Sequence, residues 1–216
     1  AELLSVVAAD ILGENPSLSV VSGPTFAQEV ASGLPTAMTV ASTGNDSFWL
    51  DAFQGESMRV YSNNDIVGVQ VGGAAKNVIA VATGISDGLG FGANARAAII
   101  TRGLAEISRL GLAFNADQKV FMGLAGLGDL VLTCTDDQSR NRRFGLGLGS
   151  GKSIEKIKQE VGQEIEGIHA ASLIEQLALS MNIEMPITRE VSAVIRGDTS
   201  PHSAAKSLLA RNTTHE

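Results

Sequence analysis

The chain has 216 residues and a formal net charge of −7 at neutral pH, the opposite of the basic face that nucleic-acid binding requires. Only 4% of its residues are aromatic although 44% are hydrophobic, so Ala, Gly, Leu, Ile and Val must build the core of one large domain or two small ones. Its one cysteine, Cys134, excludes an internal disulfide and fits a reducing cytoplasm; no apolar run approaches the roughly 18 residues that span a membrane, and no secretory signal is visible.

The chain lacks an initial Met and opens directly on an apparent amphipathic helix, Glu2 to Leu12, which reads as a fragment of a longer protein. Gly13 ends that helix, with Asn15-Pro16 as a breaker. Leu18–Ser22 is a short apolar run stopped by Gly23-Pro24, a buried-strand pattern. A helix over Phe26–Ala31, a strand over Ala37–Ala41, a helical piece over Phe48–Phe53 and a strand over Met58–Tyr61 follow. Strands alternating with helices predict the edge of an open α/β sheet.

After Asn64 the strand pattern stops. Ile66–Val81 is apolar nearly all round, as a buried helix is. Ala93–Leu112 predicts a second long helix, and the glycine-dense stretch from Gly84 to Gly92 between them predicts a mobile loop. Shorter helices are expected over Ser139–Leu148, Ser153–Val161, Ala170–Met181, Thr188–Ile195 and Ser203–Ala210. The organisation expected is an α/β remnant over residues 1–63 and a mainly helical domain over 64–216, packed tightly because no Pro- or Ser-rich linker parts them.

Four segments carry chemistry. Gly72-Gly73-Ala74-Ala75-Lys76-Asn77 sets a lysine in an otherwise apolar or small segment. It is either a snorkelling lysine or a proton-transfer group, since low-dielectric surroundings disfavour an ammonium and bring proton exchange towards neutral pH. The paired glycines admit another backbone or a cofactor. Gly126-Leu127-Gly128-Asp129 offers a carboxylate that either turns or caps the chain or holds Lys76. Thr133, four residues on, would share its helical face.

The segment from Thr135 to Arg143 combines cap residues with arginines. A helix start and Arg140 suit a small phosphorylated ligand, while Arg142 and Arg143 read as a solvated basic turn. Ser22-Gly23-Pro24-Thr25-Phe26-Ala27 directly follows a strand, where open α/β sheets bind ligands. His169, His202 and His215 have no metal-ligand spacing, Cys134 has no evident base, and Glu164 and Glu166 read as exposed carboxylates.

In this order, these pieces resemble the bacterial NAD(P)-dependent sn-glycerol-3-phosphate dehydrogenases over nearly the whole chain. The resemblance is carried by Val21 to Ala27, Arg59-Val60-Tyr61-Ser62-Asn63, Gly72 to Asn77, Gly90-Phe91-Gly92-Ala93-Asn94, Gly126 to Leu130, and Asn141 with its flanking arginines. It implies the last strands and helices of a Rossmann-type domain followed by a helical substrate domain. It implies an oxidoreductase that interconverts dihydroxyacetone phosphate and sn-glycerol 3-phosphate with NAD or NADP, in the cytoplasm, feeding glycerophospholipid synthesis.

The resemblance makes Lys76 the proton donor, held by Asp129. It implies substrate contacts at Gly23, Thr25, Lys76, Asp129, Ser139, Arg140 and Asn141, with Arg140 on the phosphate. It implies cofactor contacts at Ala27, Arg140, Glu164 and Glu166. No metal, nucleic acid or membrane span is implied, and a homodimer is compatible with it.

The family's glycine-rich dinucleotide fingerprint and a second substrate-binding lysine belong upstream of Ala1, and Asn45–Ser57 is shorter than the family pattern. This stretch taken alone is therefore expected to bind cofactor poorly and turn over little. Two other readings of the residues stay open: a lysine-dependent dehydrogenase of the 6-phosphogluconate or β-hydroxyacid type, and a non-catalytic helical interaction domain.

Overall fold

The computed structural model describes residues 2–13 and 16–210. Among these lie three strands and twelve α-helices. The Asn15 breaker and His215 fall outside the described residues.

Helix α1 (Leu4–Leu12) leads to strand β1 (Ser19–Ser22), helix α2 (Ala27–Ala31), strand β2 (Thr36–Ser42), helix α3 (Ser47–Phe53) and strand β3 (Met58–Asn63). The sheet order is β1-β2-β3. β1 runs antiparallel to β2, with Ser22 opposite Thr39, and β3 runs parallel to β2. Gly23 follows β1 at φ +149°, and a Cβ there would stand 2.9 Å from the Met38 Cα, so a glycine lets the chain turn tightly over the sheet. The alternation of strand and helix was thus legible, with boundaries shifted by a residue or two.

The helical part is built around α4 (Ile66–Gly88), which extends seven residues beyond the expected end. Asp65 starts it by accepting the Gly68 N–H at 2.8 Å, an N-cap worth about 1 kcal/mol. The same carboxylate accepts the Asp117 N–H at 2.6 Å and so ties the helix start to a later loop. By length and composition α4 could cross a membrane, contrary to the expectation that no apolar run is long enough. Its most apolar window is 72% buried inside the protein, which marks a core helix.

Helix α5 (Gly92–Ala113) packs along α4. A short α6 (Gln118–Phe121) and a π-helical turn (Leu124–Gly128) lead into α7 (Asp129–Thr135) and α8 (Arg140–Gly149). The outer helices are α9 (Ile154–Val161), α10 (Glu166–Ser180), α11 (Pro186–Arg196) and α12 (Pro201–Leu209). The large core gathers Val78, Ile79, Val81, Ile107, Phe121, Leu130 and Phe144 around α4. A second cluster joins sheet to helices through Ala41, Ile66, Val69, Val120 and Ala125.

Two further expectations are corrected. The glycines from Gly84 to Gly88 are not loop residues but the last turns of α4, facing Gly145 and Gly149 of α8. A Cβ on Gly84 would lie 2.9 Å from the Gly145 Cα, and one on Gly88 would lie 2.9 Å from the Gly149 Cα. Local propensity misreads such glycines because their use is tertiary: they let two backbones touch. Arg142 is also not a solvated residue. It is buried, donates to the Cys134 carbonyl at 3.2 Å, and forms ion pairs with Asp137 and with Asp87, the latter at 2.6 Å. Arg96 reaches the same Asp87 oxygen at 2.6 Å. Arg143 is exposed, as expected.

Glu106 of α5 is 1% exposed. It accepts the Ile187 N–H at 2.6 Å, the Thr188 N–H at 3.1 Å and the Thr188 hydroxyl at 3.0 Å, so it caps α11 from another helix. Pro186 supplies the first helical residue, where no N–H is needed.

A Cβ on Gly145 would overlap the Val81 carbonyl of α4. Gly145→Ala is therefore expected to destabilise the chain by about 3 kcal/mol, seen as a lower urea midpoint; an unchanged midpoint contradicts this packing. Burial pushes the Glu106 carboxyl above its ordinary value of 4.5, against the lowering effect of its three donors and Arg109. The folded chain thus holds that proton more tightly than the unfolded chain does. The associated stability is full below 4.5 and fades as pH rises through the raised value. The stability of the parent minus that of Glu106→Gln should fall as urea titrations move from about pH 4 to about pH 7. A pH-independent difference would rule this linkage out.

Candidate active site

Lys76 lies in the third turn of α4, one turn beyond Gly72. A Cβ on Gly72 would stand 2.9 Å from the Ala125 carbonyl, so the missing side chain lets α4 touch the π-helical turn. Gly126 in that turn leans on the Phe121 backbone with no room for a side chain. This close approach delivers Asp129, the first residue of α7, to Lys76. An acidic residue in the first turn also faces the positive end of the helix dipole.

Lys76 Nζ donates to Asp129 Oδ2 in a short ion pair. The lysine side chain is 21% exposed and the aspartate side chain 4%. Thr133 Oγ1 donates to the Asp129 carbonyl at 2.6 Å and to Oδ1 at 3.2 Å, so the shared helical face expected from their spacing is present. Ser22 Oγ, at the end of β1, donates to Oδ2 at 3.2 Å. The carboxylate is thus surrounded by donors from three elements, which is what a buried anion needs.

A second chain of bonds runs behind the lysine. Asn77 Nδ2 donates to Glu166 Oε2 at 2.9 Å, and Asn141 Nδ2 donates to Asn77 Oδ1 at 2.9 Å. The Gly167 N–H closes the chain on Asn141 Oδ1 at 2.8 Å. Arg140 reaches Glu166 Oε1 and Gln163 Oε1, each at 3.4 Å.

The front of this assembly opens into a cavity of about 630 Å³. Ser22, Gly23, Thr25, Lys76, Asp129 and Glu166 line it together with apolar side chains that include Leu110, Phe114, Leu173 and Leu177. Of the residues singled out in the sequence, Gly23, Thr25, Lys76, Asp129 and Glu166 meet here. Arg140 is half-exposed beside Glu166. Ser139 and Asn141 are buried behind the cavity: Ser139 caps α8 by accepting the Arg142 N–H at 3.2 Å, and the Asn141 amide is engaged at both ends. Ala27 is exposed at the start of α2. Glu164 pairs with exposed His169 at 3.3 Å, away from the cavity lining.

Cys134 is buried in α7, and burial pushes its thiol up to about 12, which leaves it unreactive. Among the described residues no group of His, Cys, Asp or Glu could hold a metal ion. The roles of Ser22 and Gln163 were not legible, because each depends on a partner more than 20 residues away in sequence.

Comparison with known proteins decides the ancestry of this arrangement. The model for the C-terminus of NAD-dependent glycerol-3-phosphate dehydrogenase matches residues 65–206, two-thirds of the chain, and the model for its N-terminus matches residues 1–48. The chain belongs to the NAD-dependent glycerol-3-phosphate dehydrogenase family. It is 55% identical to the glycerol-3-phosphate dehydrogenase [NAD(P)+] of Aeromonas salmonicida and 54% identical to that of Tolumonas auensis, in each case across 99% of this chain and 65% of the relative. The crystal structure of the Coxiella burnetii glycerol-3-phosphate dehydrogenase matches with a TM-score of 0.93 at 49% identity, over 97% of this chain and 65% of that one. The chain thus spans 65% of the length of these relatives.

Asn141 holds a backbone amide and a second amide side chain in a buried setting. Asn141→Ala leaves both without a partner, each costing about 1–3 kcal/mol. The expected result is a clearly lower urea unfolding midpoint with loss of the Gly167 amide's protection from hydrogen exchange. Full protection of that amide in the variant would show that the network is not what holds it.

Proposed function

We propose that this chain forms the substrate-binding and proton-transfer part of an NAD(P)-dependent sn-glycerol-3-phosphate dehydrogenase. The reaction is the interconversion of dihydroxyacetone phosphate and sn-glycerol 3-phosphate, supplying glycerophospholipid synthesis in the cytoplasm. The observation that carries the reading is the Lys76 ammonium, held on Asp129 in the wall of a cavity that Gly23 and Thr25 also line.

Residues 1–63 serve as the C-terminal part of a dinucleotide-binding domain and residues 64–216 as the helical substrate domain. The two family matches fall on either side of Asn64 in support of this division. The polar residues in the cavity lining suit a small phosphorylated ketone. Lys76 faces the ketone oxygen and gives it a proton as negative charge develops there, and it takes the proton back in the reverse direction. Asp129 keeps the ammonium aimed. Thr25 and the Gly23 backbone border the same space, and Arg140, with Glu166 and Gln163 steadying its guanidinium, receives the phosphate. Anchoring the phosphate fixes the carbonyl relative to Lys76. Ser139 and Asn141 shape the site from behind, by capping α8 and by holding Asn77.

The residues present fit the nicotinamide end of NAD or NADP. Gly73 and Ser22 line the cavity between α4 and β1, and the volume falls in the range of ligand-sized pockets. Ala27, Arg140 and Glu166 would hold the cofactor at the rim, with Glu164 further out. When bound, the nicotinamide supplies or accepts the hydride.

The test is NADH oxidation driven by dihydroxyacetone phosphate in a chain that carries the family's whole length. Lys76→Ala is expected to lower kcat by about 10²–10⁴-fold with the fold intact. A rate equal to the parent's overturns the proton-transfer role.

A further inference from the structure

Asp129 Oδ2 accepts two hydrogen bonds, from Lys76 Nζ and from Ser22 Oγ. The other oxygen, Oδ1, lies 3.2 Å from Thr133 Oγ1, whose single proton is shared with the Asp129 carbonyl at 2.6 Å. An ionised carboxylate has about four acceptor positions, and three donors in fixed places leave little freedom of rotation. Lys76 and Thr133 come from the helical part of the chain. Ser22 comes from the sheet, where it sits opposite Thr39 on the central strand and one residue before a glycine pressed against the Met38 backbone.

We propose that Ser22 is a positioning residue for the Lys76–Asp129 pair: its hydroxyl is the contact through which the sheet fixes the direction in which Lys76 presents its proton. This rests on the proposed reading of Lys76 as proton donor. Without Ser22, Thr133 alone would hold the Asp129 carboxylate from the side away from the lysine, and the plane of the carboxylate could turn. The ammonium would follow it, because a charge-assisted bond ties the two. Ser22 also makes the pair sensitive to how the sheet sits on α4 and α7. A shift of the sheet by an ångström or so would lengthen the 3.2 Å bond beyond hydrogen-bonding range and release one of the three donors. The other charged groups that line the cavity are Glu166 of α10 and Glu2, and the Cys134 thiol of α7 is buried nearby.

The experiment reads the lysine itself rather than turnover. The chain is labelled with ¹⁵N-lysine, and the exchange of ammonium protons with water is measured by NMR at one fixed pH. Lys119, Lys152, Lys156, Lys158 and Lys206 serve as internal references. In the parent chain the Lys76 ammonium is expected to exchange at least tenfold more slowly than these five. Ser22→Ala should remove most of that difference, and Ser22→Thr, which keeps the donor, should restore it. The amides of Ile187 and Thr188, bonded to Glu106 far from Ser22, report whether the fold is intact. If Ser22→Ala disturbs them, Ser22→Cys, which keeps the volume but donates weakly, decides the matter by the same readout. Slow Lys76 exchange that survives both Ser22→Ala and Ser22→Cys overturns the proposal. Because no substrate is present, faster exchange in these variants would uphold it even if dihydroxyacetone phosphate proved not to be the substrate.

Discussion

The ion pair between Lys76 and Asp129 is the constraint to which much of the molecule is fitted. Taking an ammonium and a carboxylate largely out of water costs several kcal/mol per ion unless geometry and extra donors offset it. The offset requires the central helix α4 to lie against the π-helical turn before Asp129, and that contact exists only because Gly72 and Gly126 carry no side chains. It also requires the hydroxyls of Thr133 and Ser22. A site of this kind cannot be assembled from one segment. It draws on the end of a strand, the middle of one helix and the start of another, and the fold is what makes those three points coincide.

Helix α4 carries more than the lysine. Its first residues join the sheet, its middle bears Lys76 and Asn77, and its last turns lock into α8 through two pairs of facing glycines. The Asn77–Asn141–Gly167 chain of hydrogen bonds then links α8 and α10 to the same helix. Arg142, buried on α8 and bonded to Asp87 of α4, adds an ionic lock near the other end. The two halves of the network are therefore not separable from the core.

Much of this was readable in the sequence, for reasons that follow from range. The strand–helix alternation, the long apolar helix and the presence of cap residues before α8 depend on neighbours, so periodicity and residue type reveal them. The spacing of Asp129 and Thr133 gave their common face. What stayed hidden depends on distant partners. The glycines after Gly84 looked like a loop because nothing local shows that Gly145 and Gly149 will face them. Arg142 looked solvated because Asp87 lies 55 positions away. The apolar run of α4 looked too short for a membrane because glycines, Lys76 and Asn77 interrupt it, although the whole helix is long enough. Ser139 and Asn141 stood out by motif, yet only the fold shows that both are engaged behind the cavity.

Glu106 has a further consequence, for the order of assembly. It caps α11 from 81 positions upstream. A helix of 11 residues is marginal on its own in water, and α11 gains this cap only after α5 has reached its native place. α11 therefore lacks this cap until α5 is in place. α11 and α5 become ordered together, and the chain must close a long loop before its last helices are worth forming.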